Sequence, residues 1–204
     1  ILSGQCVGGD KDKLMPLAIA FELMHTASLI HDDIIDGDEL RRGVSTLHRK
    51  WSVEDAILAG DAMFALAINL AANFGTEIMK AVSQSALELC DGEYMDLHCS
   101  LRTTTQEEYF LKIKKKSAAL FRASAYSGAL TGGGSLFEIE SLSRYGENFG
   151  IAYQLKDDLL DLTSSTEPNL GDLKTVRITL PLIHLHEVSD LKRRTVRDRS
   201  RIFI

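Results

Sequence analysis

Two clusters of aspartate residues, far apart in the sequence, have the residue types and the spacing that metal chemistry requires. In each cluster, two adjacent aspartates are followed by two aliphatic residues and a third aspartate. At helical spacing Asp32 and Asp36 share one face, as do Asp158 and Asp161, so their charges repel unless a cation neutralises them. Hard carboxylate oxygens in this arrangement suit Mg²⁺, which keeps bound waters and bridges to phosphate groups. The candidate metal ligands are Asp32, Asp33, Asp36, Asp157, Asp158 and Asp161.

Each cluster taken alone is equally compatible with an exposed acidic turn. Two observations favour a shared site instead. The pattern occurs twice, and both copies contain aliphatic residues, Ile34 and Ile35 in the first and Leu159 and Leu160 in the second. A solvated acidic turn does not need such neighbours, whereas a cavity that holds metal ions at one end does.

The elements that must position these clusters are long helices separated by short polar breaks. Apolar residues follow helical spacing from Lys13 to Ile35, and the glycine-containing segment 37–45 interrupts the pattern. Thr105 is an N-cap candidate, and no alternating strand pattern is found. We therefore predict an all-α, single-domain helical bundle, with the two aspartate-rich helix ends facing a central cavity. The predicted helices span residues 13–35, 53–73, 76–97, 105–130 and 136–162, with a further helix from 180.

The composition narrows the class of protein. A net charge of −6 argues against nucleic-acid binding, which requires a basic face. Three scattered cysteines without a C-x-x-C pair favour a reducing compartment, so we expect a cytoplasmic protein. The apolar stretch from Met63 to Phe74 is interrupted by Asn69, so we expect no transmembrane segment. The basic tail 191–204 fits a solvated helix face.

Several segments resemble, in order, the motifs of the trans-isoprenyl diphosphate synthases, of geranylgeranyl or longer-chain type. His25–Asp36 followed by Arg41-Arg42-Gly43 resembles the first aspartate-rich region of that family, and Phe149–Leu162 resembles the second. Lys116-Ser117 is similar to a lysine–threonine pair. The resemblance covers roughly residues 1–187, and its other segments are 56–64 and 172–183.

The resemblance implies an isoprenoid synthase fold that binds several Mg²⁺ ions per active site. Asp32, Asp36 and Asp157 would coordinate the ions that hold an allylic diphosphate. The remaining aspartates of the two clusters, Asp33, Asp158 and Asp161, would support them directly or through water.

The resemblance also implies the residues that bind the two substrates. Those expected on the allylic diphosphate are Arg41, Lys116 and Lys174, with Arg177 at a position usually held by lysine. Arg42 and His25 would bind isopentenyl diphosphate. Gln154 would face the substrate and stabilise developing charge. The implied catalytic residues are Asp32, Asp36, Lys116, Gln154 and Asp157, and a homodimer is the expected assembly.

The implied reaction is the ionisation of an allylic diphosphate, assisted by Mg²⁺, and attack by isopentenyl diphosphate to give an all-trans polyprenyl diphosphate. The growing chain would follow the first helix away from Asp32, where Ala27 and Ser28 are small. We therefore expect a deep pocket with its floor near Met24 or Phe21, and a product of four or more isoprene units. Substituting Phe at position 27 or 28 should shorten that product.

Some features depart from the family pattern, and three other functions stay open. We find no glycine-lysine-arginine segment before Asp10, a short loop at 163–176, and no family helices after Glu187. We therefore expect a single domain over 1–204 that is incomplete at both ends and in the 163–176 loop. The alternatives are a helical metal-dependent phosphohydrolase, a class I terpene cyclase and a non-catalytic subunit of a heteromeric synthase.

Overall fold

The structure is a computed structural model that describes residues 1–101, 103–163, 178–186 and 188, with the side chains of 161–163 left undescribed. Within these residues the fold is all-α, as predicted, apart from one hairpin of two-residue strands. The helices are α1 (Leu2–Cys6), α2 (Lys11–Asp36), α3 (Leu47–Lys50), α4 (Val53–Ala71), α5 (Thr76–His98), α6 (Gln106–Ile113), α7 (Ala119–Thr131) and α8 (Leu136–Thr163), and the strands are β1 (Leu40–Arg41) and β2 (Val44–Ser45).

The predicted long helices are confirmed, and their ends have clear physical causes. The Asp10 side chain accepts the backbone N–H of Asp12 at the start of α2, and Gly37 ends that helix in the left-handed conformation. Thr105 and Glu108 form a capping box at the start of α6. Residues 180–186 are helical, as expected. The short helices α1 and α3 were not predicted, because four or five residues are too few for a periodic pattern.

The helix predicted over 105–130 contains a π-helical segment, Lys114–Ala118, between α6 and α7. A π turn inserts a residue into the helical register and frequently marks a functional site. In and around this segment the side chains of three consecutive lysines point in different directions. Lys114 pairs with Glu147 and Lys115 with Asp91, whereas Lys116 lines the central cavity.

The hairpin lies directly after the first aspartate cluster. Its turn residues, Arg42 and Gly43, both have positive φ values, 52° and 78°, which match the right-handed twist of a two-residue hairpin. The hydroxyl of Thr46, a buried residue, donates to the carbonyl of Asp38 at 2.7 Å and holds the base of the hairpin. The segment predicted only as a break is therefore an ordered element that presents Arg41.

The core lies where α2 packs against α4 and α7, while α7 also packs against α5 and α8. Its buried apolar residues include Leu17, Phe21 and Met24 from α2 and Val82 from α5. A second cluster surrounds Tyr109 and includes Ile113, Ile178 and Ile183. The central cavity lies between these two clusters and the long helices.

Two helices in the described part of the chain, Lys11–Asp36 and Val53–Phe74, are long and apolar enough to cross a membrane by length and composition. Core helices of soluble proteins pass the same test, and α2 packs against α4 and α7. The apolar run considered in the sequence, Met63 to Phe74, is therefore shorter than the apolar helical segment Val53–Phe74 that contains it. The absence of a transmembrane segment stays a prediction.

Candidate active site

A cavity of about 920 Å³ lies between α2, α5, α7 and α8. Its polar side chains come from the end of α2, from α5, from the π segment and from α8. Farther along α2 and α7 the lining becomes apolar, with Phe21 and Leu17 on the first helix and Leu120 and Phe121 on the second. The predicted site residues in the lining are His25, Ser28, Asp32, Asp36, Arg41, Lys116, Gln154, Asp157 and Asp158.

The first aspartate cluster is divided between the cavity and the protein interior. Asp32 and Asp36 line the cavity. Asp33 does not: it is 5% exposed, and its carboxylate accepts a hydrogen bond from the guanidinium Nε of Arg41. Asp33 lies outside the cavity lining, and its support of a metal ion stays a prediction. Its position on the helix, one residue from Asp32, turns it to the neighbouring face, where it positions Arg41.

Asp32 carries the most perturbed carboxyl group of the cavity. Burial, followed by the negative charge of Glu93, raises its pKa to about 7, and the positive charges of Lys116 and Arg41 only partly oppose this. The charged form of Asp32 is thus disfavoured mainly by its burial, and second by the nearby carboxylate of Glu93. A bound cation would favour the charged form.

Arg41 and Arg42 point to different surroundings. Arg41 is held by Asp33 and lies 3.9 Å from Asp38, so its guanidinium is fixed at the cavity. Arg42 occupies the left-handed turn position, is exposed, and does not belong to the cavity lining. The expected contact between Arg42 and isopentenyl diphosphate is not supported, because the hairpin turn directs neighbouring residues to opposite sides.

Lys116 belongs to a largely buried network of charges. Its ammonium group lies 2.7 Å from Glu93 Oε2 and 2.7 Å from Asp96 Oδ2. Asp96 also accepts from Lys112 at 2.7 Å, and Lys112 donates to the backbone carbonyl of Ile178 at 3.1 Å. Burial opposes the charge on Lys116, but its two carboxylate partners outweigh burial and raise its pKa. The amine therefore stays charged at the cavity wall.

The second aspartate cluster is also divided. Asp157 is exposed and lines the cavity, as expected of a metal ligand. Asp158 lines the cavity too, but both of its oxygens accept hydrogen bonds, from the Tyr109 hydroxyl at 2.5 Å and from the Gln154 amide at 2.8 Å. The Ser117 hydroxyl donates to Gln154 Oε1 at 2.5 Å. Asp158 thus supports its neighbours, and its support of a metal ion stays a prediction.

The residues predicted to set product length lie on two faces of α2. Ser28 lines the cavity, and the same face continues through His25 and Phe21. Ala27 is 0% exposed and Met24 is buried in the core, and neither lines the cavity. The cavity-facing stripe follows positions three and four residues apart and leaves Ala27 and Met24 on the adjacent face. Their role in product length stays a prediction.

Three predicted site residues cannot be placed. Lys174 and Arg177 lie outside the described residues, as do most of the loop 163–176 and the basic tail 191–204. The backbone of Asp161 belongs to α8, but its side chain is not described.

Sequence reasoning missed four residues that build the site: Glu93, Asp96, Tyr109 and Lys112. Helical spacing was the available signal for three of them. Glu93 and Asp96 are three residues apart on α5, and Lys112 precedes Lys116 by four, so each pair shares a helix face. No pattern in the sequence marked Tyr109, which looked like an ordinary core aromatic.

Comparisons with known proteins show which family the sequence resembles. Residues 1–200 match the model of the family described as polyprenyl synthetase. The chain is 40% identical to the short chain isoprenyl diphosphate synthase of Methanothermobacter thermautotrophicus, over 99% of this chain and 64% of the relative. It is 38% identical to the geranylgeranyl diphosphate synthase of Methanosarcina mazei, over 92% of this chain and 61% of the relative.

A solved structure shows the same fold. The decaprenyl diphosphate synthase of Rhodobacter capsulatus superposes with a TM-score of 0.86 at 31% identity, over 95% of this chain and 61% of that one. The chain thus spans less than two thirds of the length of the proteins that it matches.

Proposed function

Because the chain belongs to the polyprenyl synthetase family, we propose that the protein is a trans-prenyltransferase that joins isopentenyl diphosphate to an allylic diphosphate. One observation carries the proposal. Asp32 and Asp36 on α2, Asp157 on α8 and Lys116 on the π segment line the polar part of one cavity whose remainder is mostly apolar. A diphosphate and a hydrocarbon chain in a single ligand require this division.

The donor set suits Mg²⁺. Carboxylate oxygens are its preferred protein ligands, and the raised pKa of Asp32 indicates negative charge that a cation would stabilise. Within the described residues, no three His, Cys, Asp or Glu side chains could hold an ion by themselves, so water and diphosphate oxygens would complete the coordination. When bound, Mg²⁺ would supply charge neutralisation for the leaving diphosphate.

Other side chains of the protein would stabilise the charges that develop during the reaction and exclude water. Arg41, fixed by Asp33, and Lys116 place positive charge where the leaving diphosphate accumulates negative charge. The Gln154 amide oxygen accepts from the Ser117 hydroxyl, and both residues line the cavity, where the negative end of the amide dipole would stabilise a carbocation. The apolar lining excludes water that would otherwise capture the cation. No side-chain nucleophile is needed, and the diphosphate oxygen can accept the proton that is lost.

The length of the cavity supports a product of four or more isoprene units. The lining of α2 extends from Asp32 to Leu14, about 27 Å at the helical rise of 1.5 Å per residue. Small side chains, Ser28 on α2 and Ser124 and Gly128 on α7, leave this path open. Relatives include a geranylgeranyl diphosphate synthase and a decaprenyl diphosphate synthase.

We further propose that the protein is a cytoplasmic homodimer. The exposed aliphatic side chains of α4, among them Ile57, Leu58 and Leu66, together with Leu87 on α5, offer an apolar surface to a second copy. The three cysteines are all free, which fits a reducing compartment. Light scattering after size exclusion would detect the dimer, and a monomer at micromolar concentration would contradict it.

A label-transfer assay tests the activity. Labelled isopentenyl diphosphate is incubated with geranyl or farnesyl diphosphate, with Mg²⁺ or with EDTA, and the products are sized by chromatography. We expect label in a longer prenyl chain only with Mg²⁺. Release of phosphate without extension would support the phosphohydrolase, and loss of diphosphate without isopentenyl diphosphate would support the cyclase.

A further inference from the structure

A chain of three hydrogen bonds connects the second core cluster to the cavity. The hydroxyl of Tyr109 donates to Asp158 Oδ2, Gln154 Nε2 donates to Asp158 Oδ1, and the hydroxyl of Ser117 donates to Gln154 Oε1, at 2.5, 2.8 and 2.5 Å. Tyr109 is 0% exposed, whereas the other three residues line the cavity. Tyr109 is therefore the one member of this series of hydrogen bonds that does not line the cavity.

This arrangement fixes the orientation of the Gln154 amide at the cavity wall. An ionised carboxylate only accepts hydrogen bonds, so the amide nitrogen of Gln154 must face Asp158. The amide oxygen then faces Ser117, whose side chain lines the cavity. If Asp158 could rotate, Gln154 could turn its NH₂ group toward the cavity and present a dipole of the wrong sign to a carbocation.

We propose that Tyr109 is a positioning residue that holds Asp158, and through Asp158 the Gln154 amide, in the orientation needed during chain extension. This role rests on the proposed prenyltransferase function. Tyr109 touches no substrate. It acts through the carboxylate that it holds.

Two features distinguish this role from simple packing. A phenylalanine ring would fill the same volume among Ile113, Ile178 and Ile183, so the hydroxyl serves the hydrogen bond and not the packing. In addition, the ammonium group of Lys112 lies 5.4 Å from the centre of the Tyr109 ring. Lys112 and Lys116 both pair with Asp96. The Tyr109 side chain therefore contacts Asp158 on α8 and also Lys112, a member of the charge network around Asp96.

A double-mutant cycle tests the proposal. Extension kinetics are measured for the unsubstituted protein, Tyr109→Phe, Gln154→Ala and the double variant, with the exposed Tyr145→Phe as a matched control. We expect Tyr109→Phe to lower kcat about tenfold, in the range for one buried hydrogen bond, and to leave the KM for the allylic diphosphate within about threefold. In the Gln154→Ala background, Tyr109→Phe should have no further effect on kcat, because its action passes through Gln154.

An NMR measurement, which does not depend on turnover, reports on the Gln154 side-chain amide directly. Selective ¹⁵N labelling of the four glutamines gives few side-chain NH₂ signals, and Gln154→Ala identifies the one of interest. We expect that signal to exchange slowly with solvent in the unsubstituted protein and faster in Tyr109→Phe, with no change in Tyr145→Phe.

The outcomes separate this inference from the proposed function. An unsubstituted protein that fails to extend isopentenyl diphosphate rejects the function, and the NMR comparison still decides whether Tyr109 orients Gln154. Extension with equal kcat in Tyr109→Phe, or additive losses in the cycle, would overturn the positioning role alone. A Tyr109→Phe variant that does not fold would assign the hydroxyl to stability and would also overturn it.

Discussion

The ammonium group of Lys116 lies 2.7 Å from the carboxylate of Glu93, which is also the charged neighbour that most raises the pKa of Asp32. Glu93 therefore pairs with Lys116, which we propose binds the diphosphate, and it adds negative charge near Asp32, which we propose binds Mg²⁺.

The pH dependence of Mg²⁺ binding should reveal this coupling. Because the pKa of Asp32 is raised to about 7, the carboxylate is protonated as the pH falls below neutrality, and Mg²⁺ must displace that proton. We expect the apparent Mg²⁺ affinity, in the presence of an unreactive diphosphate analogue, to fall between about pH 8 and pH 6. Glu93→Gln removes the charged neighbour that most raises this pKa while the burial of Asp32 remains, so the dependence should move to lower pH.

Isothermal titration calorimetry in buffers of different ionisation enthalpy counts the protons released. The exposed Glu107→Gln serves as the control and should retain the unsubstituted profile. Equal proton release by Glu93→Gln and the unsubstituted protein would show that Glu93 does not govern the ionisation of Asp32.

Two adjacent lysines allow a matched test of the diphosphate site. Lys116 faces the cavity, whereas Lys115 pairs with Asp91 on the surface. Lys116→Met should raise the KM for the allylic diphosphate by about tenfold to a hundredfold, the range for one charge-assisted hydrogen bond. Lys115→Met should change it less than about twofold, because exposed pairs contribute little. Steady-state kinetics decide, and similar KM values for the two variants would remove Lys116 from the substrate site.

The position of Lys116 depends on a close approach between helices. A Cβ atom on Gly92 would lie 2.3 Å from the Lys116 backbone nitrogen, so Gly92→Ala must displace the π segment. We expect a loss of about 1–3 kcal/mol in the free energy of unfolding, as for other overpacked sites, together with a raised KM for the allylic diphosphate. Gly132→Ala is the control, because its Cβ would lie 2.6 Å from the Gly4 carbonyl oxygen, and neither glycine lines the cavity. Chemical denaturation and kinetics on both variants separate lost stability from a displaced lysine.

Most of the fold followed from helical periodicity, and most of the site followed from the aspartate clusters and the resemblance. The direction of individual side chains could not be predicted from the sequence. Asp32 and Asp33 are adjacent in sequence, yet one lines the cavity and the other is buried against Arg41. The angle of about 100° between successive helical residues separates them. Which of the two faces lines the cavity depends on the elements that pack against α2.

The π segment and the hairpin could not be predicted from the sequence. Neither leaves a periodic signature, because the π segment spans only five residues and each strand only two. The first directs Lys116 into the cavity, and the second directs Arg42 away from it. Tyr109 could not be assigned from sequence because its role depends on Asp158, which is forty-nine positions away.

Product length should respond to Ser28 and not to its neighbour. Ser28 lines the cavity one helical turn from Asp32, so Ser28→Phe places an aromatic ring in the path of the growing chain. We expect the main product to shorten by at least one isoprene unit while the protein stays folded. Ala27 is fully buried outside the lining, so Ala27→Phe should overpack the core and lower the free energy of unfolding by about 1–3 kcal/mol. Chromatographic sizing of the products, paired with a thermal melt of each variant, distinguishes the two effects. Shortening by Ala27→Phe with an unchanged melting temperature would show that the chain follows the other face of α2.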